Sequence, residues 1–281
     1  MTEDDFDPWI ARLQWGEQAR QFREAAGIEF GEADDLLREK GFYETKLSKL
    51  ENGHLGPKVS DVDAMIALYR PTAEAAEQFR ELASDARRRA LPGPTPSARA
   101  RQYLSLERHA VEIRMVYNEI PGLLQTHEYA QALLSTSPGV VASRVYALAE
   151  ERAERGRRVI HPGGAEVWVA VGEDGLRRSN GGRGTLRRQL EHLGHVAAMP
   201  NVSFRVIEQS AGNVAGLAVP FTLLHTAEGK PIAFLATATR SDYVRATSPF
   251  MNTFLDAWER AATERKSATI LEERIADLTD N

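Results

Sequence analysis

The chain reads as α+β: an N-terminal all-α domain of five short helices, then an α+β domain with a mainly antiparallel sheet. Three observations predict this. Apolar residues recur at helical spacing through residues 8–90. The segment Leu91-Pro92-Gly93-Pro94-Thr95-Pro96-Ser97 then places three prolines in seven residues, which no regular helix tolerates. Beyond it the spacing alternates between helix and strand periods. The predicted organisation is a helical domain over 8–90, a linker over 91–98 and an α+β domain over 99–281.

In the first helix Trp15, Ala19, Phe22 and Ala26 share a face, and Gly27 supplies the left-handed residue that closes it. A second helix is predicted over 33–40, stopped by Gly41. The third covers 44–51, with Leu47 and Leu50 inward and Gly53 as its stop. After Pro57, Ser60-Asp61-Val62-Asp63 offers an N-cap and an acidic first turn. Val62, Met65, Ile66 and Tyr69 form the apolar face of that fourth helix. The fifth runs over 72–89 into Arg87-Arg88-Arg89.

Residues 98–109 read as helix, after which Val111, Ile113, Met115 and Tyr117 alternate with Glu112 and Arg114 at strand spacing. Pro121-Gly122 makes a turn, Thr126 caps a helix over 127–134, and a longer helix covers 142–159. Further strands are predicted over 166–171, 202–207, 219–225 and 231–236. A helix with Leu186, Leu190, Leu193 and Ala197 inward separates the first two of these. Helices over 249–265 and 267–278 end the chain, with Pro249 in a first turn.

Composition narrows the function classes. With 42% hydrophobic and 27% charged residues in 281, the chain is globular. It has no cysteine, which excludes disulfides, thiolate nucleophiles and cysteine-ligated metals. Its longest apolar runs fall far short of the roughly 20 residues of a membrane helix, and Thr2-Glu3-Asp4-Asp5 is unlike a basic signal leader. The expectation is a cytoplasmic protein without membrane association. Residues 1–91 carry 13 Lys and Arg against 19 Asp and Glu, and residues 92–281 carry 22 against 21. The acidity is N-terminal, so any nucleic-acid binding there has to come from a local basic face.

The second and third predicted helices, joined at Gly41, have helix-turn-helix spacing, in which the third helix lies in the DNA major groove. On that reading Glu44, Thr45 and Lys46 face bases, while Ser48, Lys49 and Asn52 face phosphates or bases. Arg20 and Lys40 add to the cationic face. An ordinary helical hairpin has the same spacing.

Two groups of residues carry a resemblance. Arg20-Gln21-Phe22-Arg23-Glu24-Ala25-Ala26-Gly27, followed by Lys46-Leu47-Ser48-Lys49-Leu50-Glu51-Asn52-Gly53 and Pro57, resembles the phage-repressor (Xre) helix-turn-helix in its actinobacterial form. Tyr103-Leu104-Ser105-Leu106-Glu107, Ala110, Ile120-Pro121-Gly122-Leu123-Leu124-Gln125-Thr126 and Glu128-Tyr129-Ala130 resemble the opening of the C-terminal domain of unknown function in WhiJ-like regulators. Gly181-Gly182, Gln189-Leu190, Pro200-Asn201-Val202, Gly216 and Pro220-Phe221 follow in the order that domain shows. The resemblance implies a structural ion pair between Arg23 and Glu51. It also implies an antitoxin-like transcriptional regulator whose usual partner is a small BldB-like protein.

The expected function is therefore a regulator that binds double-stranded operator DNA as a homodimer, controlled through its C-terminal domain by a small partner protein or ligand. The alternative is an antitoxin-like interaction module that sequesters the small partner with DNA binding weakened or lost. Residues 16–58 hold 7 basic against 9 acidic side chains, Glu32, Asp34 and Asp35 among them, and these repel phosphates.

Other candidates have plainer readings beside them. Leu123, Leu124, Gln125, Tyr129 and Phe221, with Ile120 and Phe234, form a ligand or partner surface or simply a core. The loop Asn180-Gly181-Gly182-Arg183-Gly184-Thr185, with Arg187 and Arg188, is an anion-binding helix start or a flexible connection. Glu173-Asp174 is an acid–base pair or a solvated turn. His192 and His195 share a helix face without the carboxylate of a zinc motif. No catalysis, cofactor or metal is expected.

Overall fold

The computed structural model describes residues 8–88, 98–227, 231–236 and 241–279. Residues 91–97 of the expected linker, and Arg89 of the basic triplet, lie outside the described residues. The chain divides into two compact units, residues 1–106 and 107–281.

The first unit contains α1 (Pro8–Ala25), α2 (Phe30–Arg38), α3 (Lys46–Glu51), α4 (Val59–Tyr69) and α5 (Ala73–Arg87), and then most of α6 (Ala98–Arg108). Gly27, Gly41 and Gly53 all take positive φ and end their helices with the same paired backbone bonds. After α2, for instance, Gly41 N–H donates to Arg38 O and Phe42 N–H to Leu37 O. α4 begins earlier than expected, with Lys58 rather than Ser60 as cap. The Asp61 carboxylate accepts from the Lys58 N–H at 3.0 Å and fixes that start.

Trp15, Ala19, Leu37, Leu47, Leu50, Met65 and Phe79 form the interior of this unit, with the Trp15 and Phe79 rings stacked at 4.7 Å. Each fully buried leucine contributes about 1.5–3 kcal/mol relative to exposure. Gly16 has a steric role: a Cβ there would sit 2.5 Å from Leu50 O, so only glycine lets the end of α3 press against α1.

The second unit is a six-stranded sheet with helices. After the end of α6 come β1 (Ala110–Tyr117), α7 (His127–Ser135), α8 (Val145–Val159), β2 (Glu166–Gly172), α9 (Arg183–Ala197) and β3 (Val202–Ile207). Then follow α10 (Ala215–Ala218), β4 (Phe221–Thr226), β5 (Ile232–Ala236), β6 (Ser241–Val244), α11 (Ser248–Arg260) and α12 (Glu264–Thr279). The strand order is β3-β2-β1-β4-β5-β6.

The expected mainly antiparallel sheet is corrected to a mixed one. β1 pairs β2, and β2 pairs β3, in parallel; β1–β4, β4–β5 and β5–β6 are antiparallel. The cause is connection length. β1, β2 and β3 are joined through helices, and such crossovers return the chain in the same direction, whereas the short links around β5 reverse it. β2 carries the mark of a central parallel strand, the run Val167-Trp168-Val169-Ala170-Val171, interior over most of its length. β6 was not expected; Ser-Asp-Tyr-Val is a short edge strand with no alternating apolar pattern.

Against one sheet face, Phe254 and Ala257 of α11 pack on Val116, Ala170, Phe221 and Leu223. The last two helices break at 261–263, earlier than predicted, because Ala262 N–H donates to Val206 O. Ser267, fully buried, then accepts from the Val206 N–H at 2.9 Å. In α9 the inward row is Leu186, Gln189, Leu190, Leu193 and Val196; Ala197 is half-buried. Among the described residues no helix is long and apolar enough to cross a membrane.

Candidate nucleic-acid interface

α3 is only six residues long, and its two ends are fixed differently. At its start Thr45 adopts φ 69°, the left-handed region, which a β-branched residue reaches only under strain. The helix therefore starts at Lys46, not at Glu44. At its end the Glu51 carboxylate, almost wholly buried, accepts from Arg23 Nε at 2.8 Å and Arg23 Nη2 at 3.2 Å. That fork-to-carboxylate geometry holds the Arg23 guanidinium more firmly protonated than usual, against the desolvation that opposes it. Arg23 Nη1 also donates to Ile28 O. Tyr69 lies in the same interior, where burial pushes its phenol up.

Three residues expected to contact DNA are engaged by partners within the protein instead. Lys46 is 6% exposed; its Nζ pairs with Asp61 Oδ1 at 2.6 Å and lies 4.3 Å from the centre of the Phe42 ring. Arg20 is drawn onto the end of α3, donating to Glu17, to the Glu51 carboxylate and carbonyl, and to Asn52 Oδ1, at 3.3–3.4 Å. Asn52 in turn donates to Ser48 O at 2.8 Å. The physical reason is shared: a cation or amide beside a buried carboxylate or an open helix end gains more from that partner than from water.

The outward set is smaller. Glu44, Thr45 and Lys49 are exposed, Ser48 is half-buried, and Lys40 is exposed just after α2. Tyr43, which the sequence reading did not single out, is half-exposed, with Lys49 Nζ 5.3 Å from its ring centre. Its signal was an aromatic in the turn immediately before α3. The neighbouring solvent face of α2 carries Glu32 and Asp35, and Glu39 follows at its end, all exposed. Asp34 is not part of that face: it is mostly buried and accepts from Arg38 Nε and Nη2.

In the second unit Leu123, Leu124, Gln125, Tyr129 and Phe221 do not form a surface, since all are at most 4% exposed. Phe221 belongs to the α11 side of the sheet. Tyr129 is interior on α7, and the other three are interior because the loop that carries them is fastened by amides. Gln125 Nε2 donates to Ile120 O and its Oε1 accepts from Arg152. Gln189, wholly buried, accepts from Thr126 N–H at 2.7 Å and donates to Leu124 O at 2.8 Å. A Cβ at Gly156 would lie 2.6 Å from Leu123 O, so α8 too needs a glycine there. Asn201 likewise holds two carbonyls, those of His161 and Ala165.

The arginines around residues 180–188 are engaged within the protein: Arg183 with Asp277 O, Arg187 with Glu191 and Arg188 with Glu128. Asn180 donates to the Tyr129 hydroxyl. Glu173 is held below the ordinary carboxylate range, chiefly by the hydrogen bond from Arg177, and Asp174 accepts from Gln209 Nε2. Burial pushes His192 down, and His195 adds to the effect. No group of three or more His, Asp and Glu suited to a metal ion occurs among the described residues.

No curated protein and no solved structure matches the chain. One family does, the domain of unknown function DUF5753, over residues 100–273. That span runs from α6 to α12 and takes in the amide-fastened loop. The chain is thus a member of the DUF5753 family, with α1 to α5 lying before the matched region.

Proposed function

We propose that the chain is a helix-turn-helix regulator of the Xre type, reading double-stranded operator DNA with α3 and acting as a homodimer in the cytoplasm. The observation that carries this reading is the clasp on α3. Buried ion pairs to Arg23 and Asp61 fix its two ends, while Thr45, Ser48 and Lys49 remain outward. A short helix pre-set in this way loses little further freedom on entering a groove. The second unit then receives a small partner protein, of the BldB-like kind, or a ligand.

Lys40 and Lys49 are the outward cations of this face on our reading, so the electrostatic part of binding is modest. At about 0.9 per phosphate contact, the slope of log affinity against log salt is about 2 per chain and about 4 per dimer. The test is a mobility shift on DNA from upstream of the chain's own gene, at about 50 and about 200 mM salt. Lys49→Ala is expected to weaken binding and to lower the slope by about 1 per chain. Lys46→Ala is unsuitable, because it strands Asp61 inside the protein.

A second reading is supported by Glu32, Asp35, Glu39 and Glu44, whose exposed carboxylates border the same head. In it the chain is an antitoxin-like module that sequesters its small partner without DNA. Failure to shift any upstream DNA at low salt, together with co-purification of a neighbouring small protein, selects it over the first.

A further inference from the structure

The chain contains two Asn-Gly steps, Asn52-Gly53 and Asn180-Gly181. Asparagine is a heat-labile residue, and most so before glycine, where no side chain hinders closure of the backbone nitrogen onto the amide. The two steps stand in opposite settings.

Asn52 caps the end of α3 and is held at both amide atoms. Its Nδ2 donates to Ser48 O at 2.8 Å, and its Oδ1 accepts from Arg20 Nη2 at 3.4 Å. Gly53 is buried, and its N–H donates to Leu50 O at 3.0 Å. Asn180 is half-buried in the turn before α9, in the loop whose arginines are engaged elsewhere. Its amide has one contact, Nδ2 to the Tyr129 hydroxyl at 2.9 Å, and its Oδ1 has no hydrogen bond among the described residues. Gly181 is exposed, and its N–H has no acceptor among them. Gly181, Gly182 and Gly184 follow closely, so the backbone here can turn onto the amide at small steric cost.

From this contrast we propose that Asn180 is a site of spontaneous modification, at which the second unit slowly exchanges a neutral amide for a carboxylate. The Gly181 nitrogen gives its proton to hydroxide and attacks Asn180 Cγ. The N–Cγ bond forms, the Cγ–Nδ2 bond breaks, and Nδ2 takes a proton from water and leaves as ammonia. Water then opens the cyclic imide: attack at Cγ gives aspartate, and attack at the main-chain carbonyl carbon gives isoaspartate. Either product places a negative charge just ahead of α9, where the helix dipole favours it, and removes the amide donor of the Tyr129 hydroxyl. The site belongs to the second unit and stands whether or not α3 reads DNA.

The test uses hydroxylamine, which opens the same imide and releases Gly181 as a new amino terminus. It is applied to the full chain, folded and in urea. In the folded chain the cut after Asn180 is expected about tenfold or more faster than the cut after Asn52, whose hydrogen bonds have to break first. In urea the two cuts are expected at similar rates. Storage of the folded chain at mildly alkaline pH, without hydroxylamine, is expected to give isoaspartate at position 180 in a peptide map while Asn52 stays an amide. Two results overturn the proposal: a folded chain cut after Asn52 as fast as after Asn180, or an Asn180 that stays an amide in the folded chain while the chain in urea reacts.

Discussion

The end of α3 and the loop over residues 120–126 are both fixed by buried polar side chains, yet by different chemistry. At α3 the fastening is charge on charge, with Glu51 between Arg23 and Arg20 and Lys46 on Asp61. In the loop it is mainly amide on backbone, with Gln125 and Gln189 satisfying the peptide groups of Ile120, Leu124 and Thr126. A buried ion pair is conditional, because losing one partner leaves a charge out of water. Losing a buried amide leaves neutral peptide groups unmet, and each of these costs less than a stranded charge. The end of α3 is thus the region more sensitive to a single substitution.

Glu51→Ala tests this at its strongest. It strands Arg23 in the interior, and the expected loss is about 3–5 kcal/mol, seen as a collapse of the N-terminal unit's transition in a melt of the full chain. The paired change Arg23→Met with Glu51→Leu removes both charges and is expected to recover most of that loss. A double variant as unstable as the single one would mean that shape, not charge, closes this corner.

Gln189→Leu addresses the other side of the comparison. It leaves the Thr126 N–H and the Leu124 carbonyl without their partner. At about 1–3 kcal/mol for the buried Leu124 carbonyl and about 1 kcal/mol for the only partly buried Thr126 N–H, the expected loss of about 2–4 kcal/mol falls on the second unit. A urea melt that moves the N-terminal transition instead contradicts the assignment.

The same contrast explains what could be read in the sequence. Gly27, Gly41 and Gly53 marked helix ends because a helix stop is written within a few residues. The α9 row was legible for the same local reason, and β1 was legible as a strand, although Val111 is exposed and Val116 buried against the expected alternation. The directions of Lys46 and Arg20 were not, since their partners Asp61 and Glu51 lie 15 and 31 residues away. A charged side chain read alone is assigned to water. Likewise, Leu123 and Tyr129 could be read as surface or as core because nothing near them announced that Gln189, 65 residues beyond Leu124, would draw the loop inward. The parallel half of the sheet depended on which strands the crossovers bring together, which single-strand patterns do not encode.

Thr45→Gly is expected to work in the opposite direction and more weakly. The left-handed conformation costs a β-branched residue about 1–2 kcal/mol, which glycine avoids at some entropic cost in the unfolded chain. The net gain is about 1 kcal/mol, read as a higher melting temperature of the N-terminal unit. If Thr45→Gly lowers that temperature, the threonine side chain makes a compensating contact at the start of α3.

The smallest effect concerns pH and the second unit. Glu173 titrates below its ordinary 4.5, first because Arg177 donates to it and also because the Gln209 N–H does, with partial burial opposing both. A carboxyl with a lowered folded-state pKa stabilises the protein above its unfolded pKa, and that contribution disappears as pH falls through the folded value. Wild type is therefore expected to melt above Glu173→Gln at about pH 6 and to lose that margin towards about pH 3. Taking the difference between the two proteins cancels the acid titration that all other carboxylates share. A margin constant across this range would assign Glu173 a purely steric role and leave Arg177 without a titrating partner at the end of β2.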